Sequence, residues 1–246
     1  MLALLFVAGL WAGVQNALAG GGSFVTLPAL IFSGLDARAA NIASTLALFP
    51  GQTTTGYFGR SMVSGAEGLR FRTLVVISLA GGVVGAAILL VTPSAMFGQM
   101  VPWLVLFATS LFAWGTFAPK REEGGHRLGP RSAVAAQFLI SVYGGYFGGG
   151  IGFLMLAALT AVGLGVRNAG ATKNVLAAVM NAAAVAVFVF TPHIPWPRVL
   201  VVSGGAIIGG WAGAQLLKRV NERLIRGFVI VLGIALTIGL FIRAAP

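Results

Sequence analysis

Two glycine triplets, at residues 20–22 and 148–150, interrupt apolar stretches at matching places in the two halves of the chain. Each glycine destabilises a helix interior by ~1 kcal/mol relative to alanine, so three in a row favour a break. In a bilayer, irregular backbone is tolerated only where it is buried in protein or lines a cavity. Paired breaks in two corresponding halves are typical of the binding site of a secondary transporter.

The composition excludes an ordinary water-soluble protein. Hydrophobic residues make up 58% of the chain and charged residues only 9%, whereas a soluble domain has roughly 25% charged residues. The net charge of +11 is spread between apolar stretches, so we interpret it as membrane topology and expect a lipid bilayer, not nucleic acid, as partner. Met1 leads directly into apolar sequence, and we expect the first segment to belong to the mature protein.

The apolar stretches predict about ten helical segments, since a full span needs ~20 residues. The segments run approximately over 1–18, 23–34, 39–58, 71–92, 98–118, 132–147, 151–165, 169–191, 198–217 and 224–242. Those that flank each triplet are short. They are either the half-spanning legs of a hairpin or short full spans.

The basic residues favour the hairpin interpretation. If each glycine-broken pair enters and leaves on one side, Arg38, Arg198 and Arg243 lie on one face, and the other thirteen of the 16 Lys and Arg residues lie on the opposite face. The positive-inside rule then makes the basic face cytoplasmic. Five segments in each half, an odd number, would give the second half the inverted orientation.

An internal repeat agrees with this topology. The motif at 81–86 matches 209–214 at an offset of 128, as the triplets do, and Gly34, Leu35 and Arg38 match Gly163, Leu164 and Arg167 at an offset of 129. We predict a first transmembrane repeat at 1–118, a cytoplasmic linker at 119–131 and a second, inverted repeat at 132–246. The linker contains two prolines and three glycines.

The titratable residues give no sign of an enzyme. All five acidic residues fall in loops or at span ends, and the two histidines lie in separate loops. Without cysteine and without converging carboxylates, we expect no catalytic residue, no metal site and no cofactor. A cation carrier is disfavoured because no buried acid is present.

The polar residues within the apolar segments suit an anion. They are Gln15, Asn16, Ser44, Thr45, Gln52, Gln137, Asn174 and Asn181, with Lys173 as the one cation among them. Helix starts after the glycine breaks would present N–H groups and the positive end of the helix dipole. The expected cradle comprises Gly20, Gly21, Gly22, Gly148, Gly149 and Gly150, with a hydroxyl from Ser23.

Several of these residues have plainer structural interpretations. Lys173 lies near the cytoplasmic end of its helix, so its side chain either contacts the ligand or extends to the interface. We expect Asn181 to hydrogen-bond a neighbouring helix, and Arg38 and Arg167 to anchor helix ends at the membrane interface. The glycines at 81, 85, 209 and 213 are expected to form helix-packing faces.

The two halves together resemble the TauE/SafE family of sulfite and organosulfonate exporters. The first half contains the glycine triplet in the stretch 19–28, followed by 34–35 and 38–45; the second contains 143–152, 163–169, 171–174 and Asn181. The likeness spans nearly the whole chain. One departure is that Ala157-Ala158 stands where the first half has Leu27-Pro28, so the proline is not shared.

The resemblance implies a prokaryotic inner-membrane permease for small sulfur-containing anions, such as sulfite or organosulfonates. It points to the glycine breaks and to Ser44, Thr45, Thr172, Lys173 and Asn174 as the binding site.

We therefore predict an all-α polytopic membrane protein of two inverted repeats, with a glycine-broken hairpin opening each. It would export or exchange the anion by alternating access, with one repeat rocking against the other. Two alternatives stay open: a passive anion channel and a non-transporting membrane scaffold. The glycine faces would also allow a homodimer.

Overall fold

The chain forms ten α-helices in a computed structural model that describes residues 1–18, 20–60, 63–65, 69–117, 129–216 and 222–244. The helices are α1 (Leu2–Leu18), α2 (Ser23–Phe32), α3 (Ala37–Gly59), α4 (Phe71–Val91), α5 (Ser94–Phe117), α6 (Pro130–Tyr146), α7 (Ile151–Ala161), α8 (Val166–Phe188), α9 (Trp196–Leu216) and α10 (Glu222–Ala244). No strand is assigned within the described ranges. The all-α prediction is confirmed, and each predicted segment corresponds to one helix.

The predicted linker at 119–131 lies outside the described residues except for its last three positions, where Gly129 caps α6 and Pro130 begins it. By length and composition, three of the described helical segments could cross a membrane: Phe71–Val91, Ser94–Leu111 and Asn168–Phe188.

Each glycine triplet separates a long helix from a short one. The pair α1 and α2 has 17 and 10 residues, and the pair α6 and α7 has 17 and 11. At 1.5 Å per residue, the long legs measure about 26 Å and the short legs about 15–17 Å. A ~30 Å hydrocarbon core is thus nearly spanned by the first leg of each pair and only half spanned by the second.

The two halves of the sequence pack into each other through glycine faces. Helix α1 lies against α9, and a Cβ atom added at Gly13 or Gly209 would overlap a backbone oxygen of the partner helix. Helix α4 lies against α6 in the same way, because a Cβ at Gly85 would overlap the carbonyl oxygen of Val142. Only glycine permits this backbone approach, as in small-residue interfaces of membrane proteins. The predicted packing role of the glycines at 81, 85, 209 and 213 is confirmed.

Contact registers give the helix directions on one side of the fold. Along α1 and α9, the contact of Gly9 with Val202 is followed by that of Gly13 with Ala206, so the two helices are parallel. Helix α9 is also parallel to α3, since Ser203 Oγ donates to the Ala47 oxygen at 2.8 Å and Gly51 meets Ala206. We call α1, α3 and α9 the first bundle.

The remaining three central helices run in the opposite direction. Gln137 bonds Ser78, and further along Val142 contacts Gly85, which makes α4 and α6 parallel. Helices α4 and α8 contact each other, and each is antiparallel to α3. We call α4, α6 and α8 the second bundle. Each bundle therefore contains helices from both halves of the sequence.

Polar contacts fix the two ends of the molecule. The Arg38 guanidinium at the start of α3 donates to the carbonyl oxygens of Leu90 (3.3 Å) and Thr92 (2.8 Å) at the end of α4. At the opposite end, the loop after α3 meets the first turns of α8, where Ser64 N–H donates to Thr172 Oγ1 at 3.1 Å. Arg38 thus ties the start of α3 to the end of α4, whereas the side chain of Arg167 lies outside what the structure describes.

Candidate functional site

The first glycine break is held by the two residues that precede it by one turn. Gly20 N–H donates to the backbone oxygen of Gln15 at 2.9 Å, and Gln15 Nε2 donates to the oxygen of Gly21 at the same distance. Gly22 N–H donates to Asn16 Oδ1 at 2.7 Å. Gly20 and Gly21 have φ of +86° and +80°, a region that other residues rarely adopt. The peptide groups of this break are thus largely satisfied by the protein itself.

The second break repeats one backbone contact of the first, but it differs in conformation and lacks the side-chain support. Gly148 N–H points to the oxygen of Tyr143 at 3.5 Å, as Gly20 does to Gln15. Gly148 and Gly150 have φ of +76° and +74°, and Gly150 is the N-cap of α7 with no side-chain hydrogen bond. The first N–H groups of a helix have no partner within the helix. The start of α7 therefore offers backbone donors at this break.

The two breaks meet each other in space. A Cβ atom at Gly148 would lie 4.0 Å from Ser23 Oγ at the start of α2. A Cβ at Gly152, in the first turn of α7, would lie 3.9 Å from Cα of Gly20 and 3.5 Å from Nζ of Lys173. The ring of Phe24 also approaches the second break, 3.2 Å from a Cβ at Gly149. Helix starts from both halves, one hydroxyl and one ammonium group are therefore gathered in one place.

This combination of groups is suited to binding a small anion. A helix N-terminus carries partial positive charge, and its N–H groups bind oxyanions. Among the described side chains that these contacts bring to the breaks, only Lys173 carries a charge. Glycine at 152 places no side chain of its own between the α7 backbone and the ammonium group.

Four of the predicted site residues have other contacts. Ser44 Oγ is 2.6 Å from Thr26 Oγ1, in a buried pair between α3 and α2. Thr45 Oγ1 donates to the oxygen of Asn41 within its own helix at 3.0 Å. Thr172 Oγ1 both donates to and accepts from the backbone of Ser64, which occupies it in the loop contact. Asn174 lies beside Gly56 of α3 through its backbone oxygen.

Sequence reasoning missed Gly152 and Thr26. The stretch 148–152 has glycine at four of five positions, and a glycine just inside the new helix could have indicated a close neighbour. The role predicted for Asn181 is confirmed, because its Nδ2 donates to Gln52 Oε1 across α3 and α8.

One acidic group outside the spans is well defined. Asp36 caps α3 by accepting from the N–H groups of Arg38 and Ala39, each at 3.1 Å, and it accepts from Ser94 Oγ at 2.6 Å. Partial burial raises the pKa of this carboxyl, but the Ser94 bond, the two backbone bonds and the Arg38 charge together hold the pKa below its usual value. Through these bonds Asp36 ties the start of α3 to that of α5.

Comparison with known proteins gives the family of the chain. The sequence profile of a family described as sulfite exporter TauE/SafE matches residues 5–240. The chain belongs to the TauE/SafE family. Relatives of this TauE/SafE chain include the probable membrane transporter protein ORF9 of Sinorhizobium sp, 31% identical over 245 residues that cover 98% of this chain and 92% of the relative. No solved structure matches the chain.

Two further relatives have the same type of name. A probable membrane transporter protein of Haemophilus influenzae is 29% identical over 96% of this TauE/SafE chain and 93% of its own length. The probable membrane transporter protein YfcA of Escherichia coli K12 is 25% identical over 94% and 86%. The family and the apolar helices identify this chain as a membrane transporter.

Proposed function

We propose that this TauE/SafE protein is a secondary transporter of the prokaryotic inner membrane that exports or exchanges a small sulfur-containing anion, such as sulfite or an organosulfonate. The main support is the meeting of the two glycine breaks beside Lys173. The family description, sulfite exporter, points to the same class of substrate. Alternating access would expose this one site to each face in turn.

The proposed architecture is a pair of inverted repeats, 1–118 and 132–246. Exchanging the repeats replaces each helix of α1–α5 by its counterpart in α6–α10. The contact of α1 with α9 then becomes the contact of α6 with α4. The contact of α3 with α9 becomes the contact of α8 with α4. All four contacts occur. The opposite directions of the two bundles also support inversion of the second repeat.

The packing suggests which parts would move. The sequence repeats cannot easily rock as rigid halves, because α1 is interlocked with α9 and α4 with α6. The two mixed bundles are the better candidates for moving bodies, since the backbone-to-backbone contacts lie within them. Ser23 and Gly20 lie next to α1 of the first bundle. Lys173 is on α8 of the second bundle, and Gly152 of α7 lies beside it. The proposed site would then lie between the moving bodies.

Within this site we assign the two breaks different roles. At the first break, Gly22 N–H donates to Asn16, and the N–H groups of Phe24 and Val25 donate to the oxygens of Gly21 and Gly22. Neither α2 nor α7 has a side-chain cap, but among the described residues no bond of this kind is assigned at the start of α7. The anion would therefore bind mainly to the α7 N–H groups and Lys173, with Ser23 Oγ as a further donor. Gly20, Gly21 and Gly22 would shape the opposite wall. The hydroxyls of Ser44, Thr45 and Thr172 would act indirectly, by holding α2, α3 and the loop after α3.

The orientation proposed from the charges places residues 60–72 and the linker 119–131 in the cytoplasm. The contact of Ser64 with Thr172 supports it, because it puts the loop after α3 and the first turns of α8 at the same end. The bilayer would cover the exposed apolar side chains, for example Val76 and Val91 of α4 and Leu200 of α9.

Binding and transport can be tested with the purified full chain. A ligand that binds the folded state raises the melting temperature as its concentration increases. We expect sulfite or methanesulfonate to do so, and sodium chloride at equal ionic strength to have a smaller effect. Proteoliposomes should then show exchange of the labelled anion against internal anion. Absence of both binding and exchange across sulfite, methanesulfonate, thiosulfate and sulfoacetate would refute the proposal, and single-channel conductance would indicate a channel instead.

A further inference from the structure

Gln52 and Asn181 occupy equivalent positions in the two halves of the chain. They are 129 residues apart, the same offset that relates Gly34 to Gly163 and Arg38 to Arg167. They also bond each other, with Asn181 Nδ2 donating to Gln52 Oε1. When the two repeats are exchanged, Gln52 takes the place of Asn181 and Asn181 that of Gln52. The bond between them therefore lies on the approximate twofold axis that relates the repeats.

The pair lies where the two bundles face each other. Gln52 is on α3 of the first bundle, and Asn181 is on α8 of the second. The neighbouring contact, of Gly56 with Val175 and Ala178, continues the same antiparallel crossing. Polar bonds between the bundles at this crossing would resist sliding of α3 along α8.

The bond leaves most of the pairing capacity of the two amides unused by each other. Asn181 is 4% exposed, and its Oδ1 has no hydrogen-bond partner among the described residues. A buried acceptor of this kind is normally satisfied. The unused alternative is a bond from Gln52 Nε2 to Asn181 Oδ1, which is what the present bond becomes when the two repeats exchange roles.

We propose that Gln52 and Asn181 are positioning residues at the pivot of the transport cycle. This inference rests on the proposed alternating-access function. When the open face changes, the bundles turn about this crossing and the amides stay in contact. The donor and acceptor roles of the two amides reverse between the two states. The pair thus keeps α3 and α8 in register without contacting the anion.

The rate of anion exchange distinguishes a positioning role of the two amides from a purely structural one. Gln52→Leu and Asn181→Leu should each lower the maximal exchange rate about threefold to tenfold, the range for losing one interhelical hydrogen bond. The affinity for the anion, measured by thermal shift, should stay within about twofold, a shift of ~0.4 kcal/mol. The swapped variant, Gln52→Asn with Asn181→Gln, restores an amide at both positions and should recover most of the rate.

Gln137 supplies a matched control. It is also a buried amide and donates to Ser78 at 2.8 Å, but that bond lies within the second bundle. Gln137→Leu should lower the melting temperature without slowing exchange by the folded protein. The pivot proposal would be overturned if Gln137→Leu slowed anion exchange equally, or if the swapped variant did not recover the exchange rate.

A distance measurement decides the question without a known substrate. The chain has no cysteine, so spin labels can be attached at introduced cysteines without a prior substitution. Labels at Thr53 and Ala182, next to the pair, should keep a single distance in all conditions. Labels at Ser64 and Asn168, far from it, should show two populations. Two populations at the pair would overturn the inference, whereas absent anion exchange with the expected distances would refute only the proposed substrate.

Discussion

Lys173 places its Nζ 3.5 Å from the point where a side chain at Gly152 would begin. The residues come from α8 and α7, and Gly20 of the other half lies 3.9 Å from the same point. A methyl group there would make ordinary van der Waals contacts, so Gly152→Ala should fold with little change in melting temperature. It should still weaken anion binding, by about tenfold or ~1.4 kcal/mol, because the methyl would separate the ammonium from the α7 backbone.

The comparison for this variant is Gly170→Ala, on α8 with open space around the added methyl. Titration of both with methanesulfonate by thermal shift measures the difference. Equal affinities in the two variants would show that the anion does not lie between Lys173 and α7.

Removal of the positive charge should affect binding more strongly than folding. We expect Lys173→Gln to weaken anion binding roughly tenfold to a hundredfold, as for the loss of a ~1.5–3 kcal/mol hydrogen bond to a charged group. Lys173→Arg retains the charge and should bind more tightly than the glutamine variant. Isothermal titration in detergent checks the order, and unchanged affinity in Lys173→Gln would exclude this side chain from the site.

The contact between α4 and α6 should not tolerate a single added carbon. In Gly85→Ala the methyl group would overlap the oxygen of Val142, and we expect a loss of ~1–3 kcal/mol of stability from the forced separation of the helices. Gly98→Ala of α5, whose added carbon would be 3.9 Å from Ala37 Cβ, is the matched control. Melting temperatures in one detergent compare them, and equal values would disprove the close approach.

The Asp36 cap should give a pH-dependent contribution to stability. Asp36→Ala removes the cap of α3 and the bond from Ser94, and should cost ~1 kcal/mol at neutral pH. Because the pKa of the folded-state carboxyl is lowered from 3.8, its stabilising effect is complete above that value and is lost as the pH falls through the folded-state pKa. Melting temperatures of the two proteins should therefore converge at low pH. A constant difference down to that range would contradict the assignment.

The sequence predicts the helices well because their signals are local. Apolar stretches and glycine breaks located all ten segments, and the offset of 128–129 identified corresponding positions. The sequence could not show which faces meet, because that depends on contacts between distant segments. Nothing local indicates that Gly85 adjoins Val142, or that the hydroxyl of Thr172 is occupied by the backbone of Ser64.

The candidate site shows the same difference between what local sequence predicts and what depends on contacts between distant segments. The sequence identifies the two triplets as the breaks but does not predict their unequal support. It arises because Asn16 and Gln15 reach back to the first break, whereas the equivalent positions in the second half hold Gly144 and Tyr143. The offset alone could have paired Gln52 with Asn181, yet only the crossing of α3 and α8 shows that they touch.

The pairing of α1 with α9 has a consequence for biosynthesis. Helix α9 follows α1 in the chain with seven helices between them, so the glycine face of α1 cannot meet α9 until α9 has been synthesised. The N-terminal half cannot reach its final packing before the C-terminal half is inserted. The contact between α1 and α9 therefore forms after the first eight helices have been made.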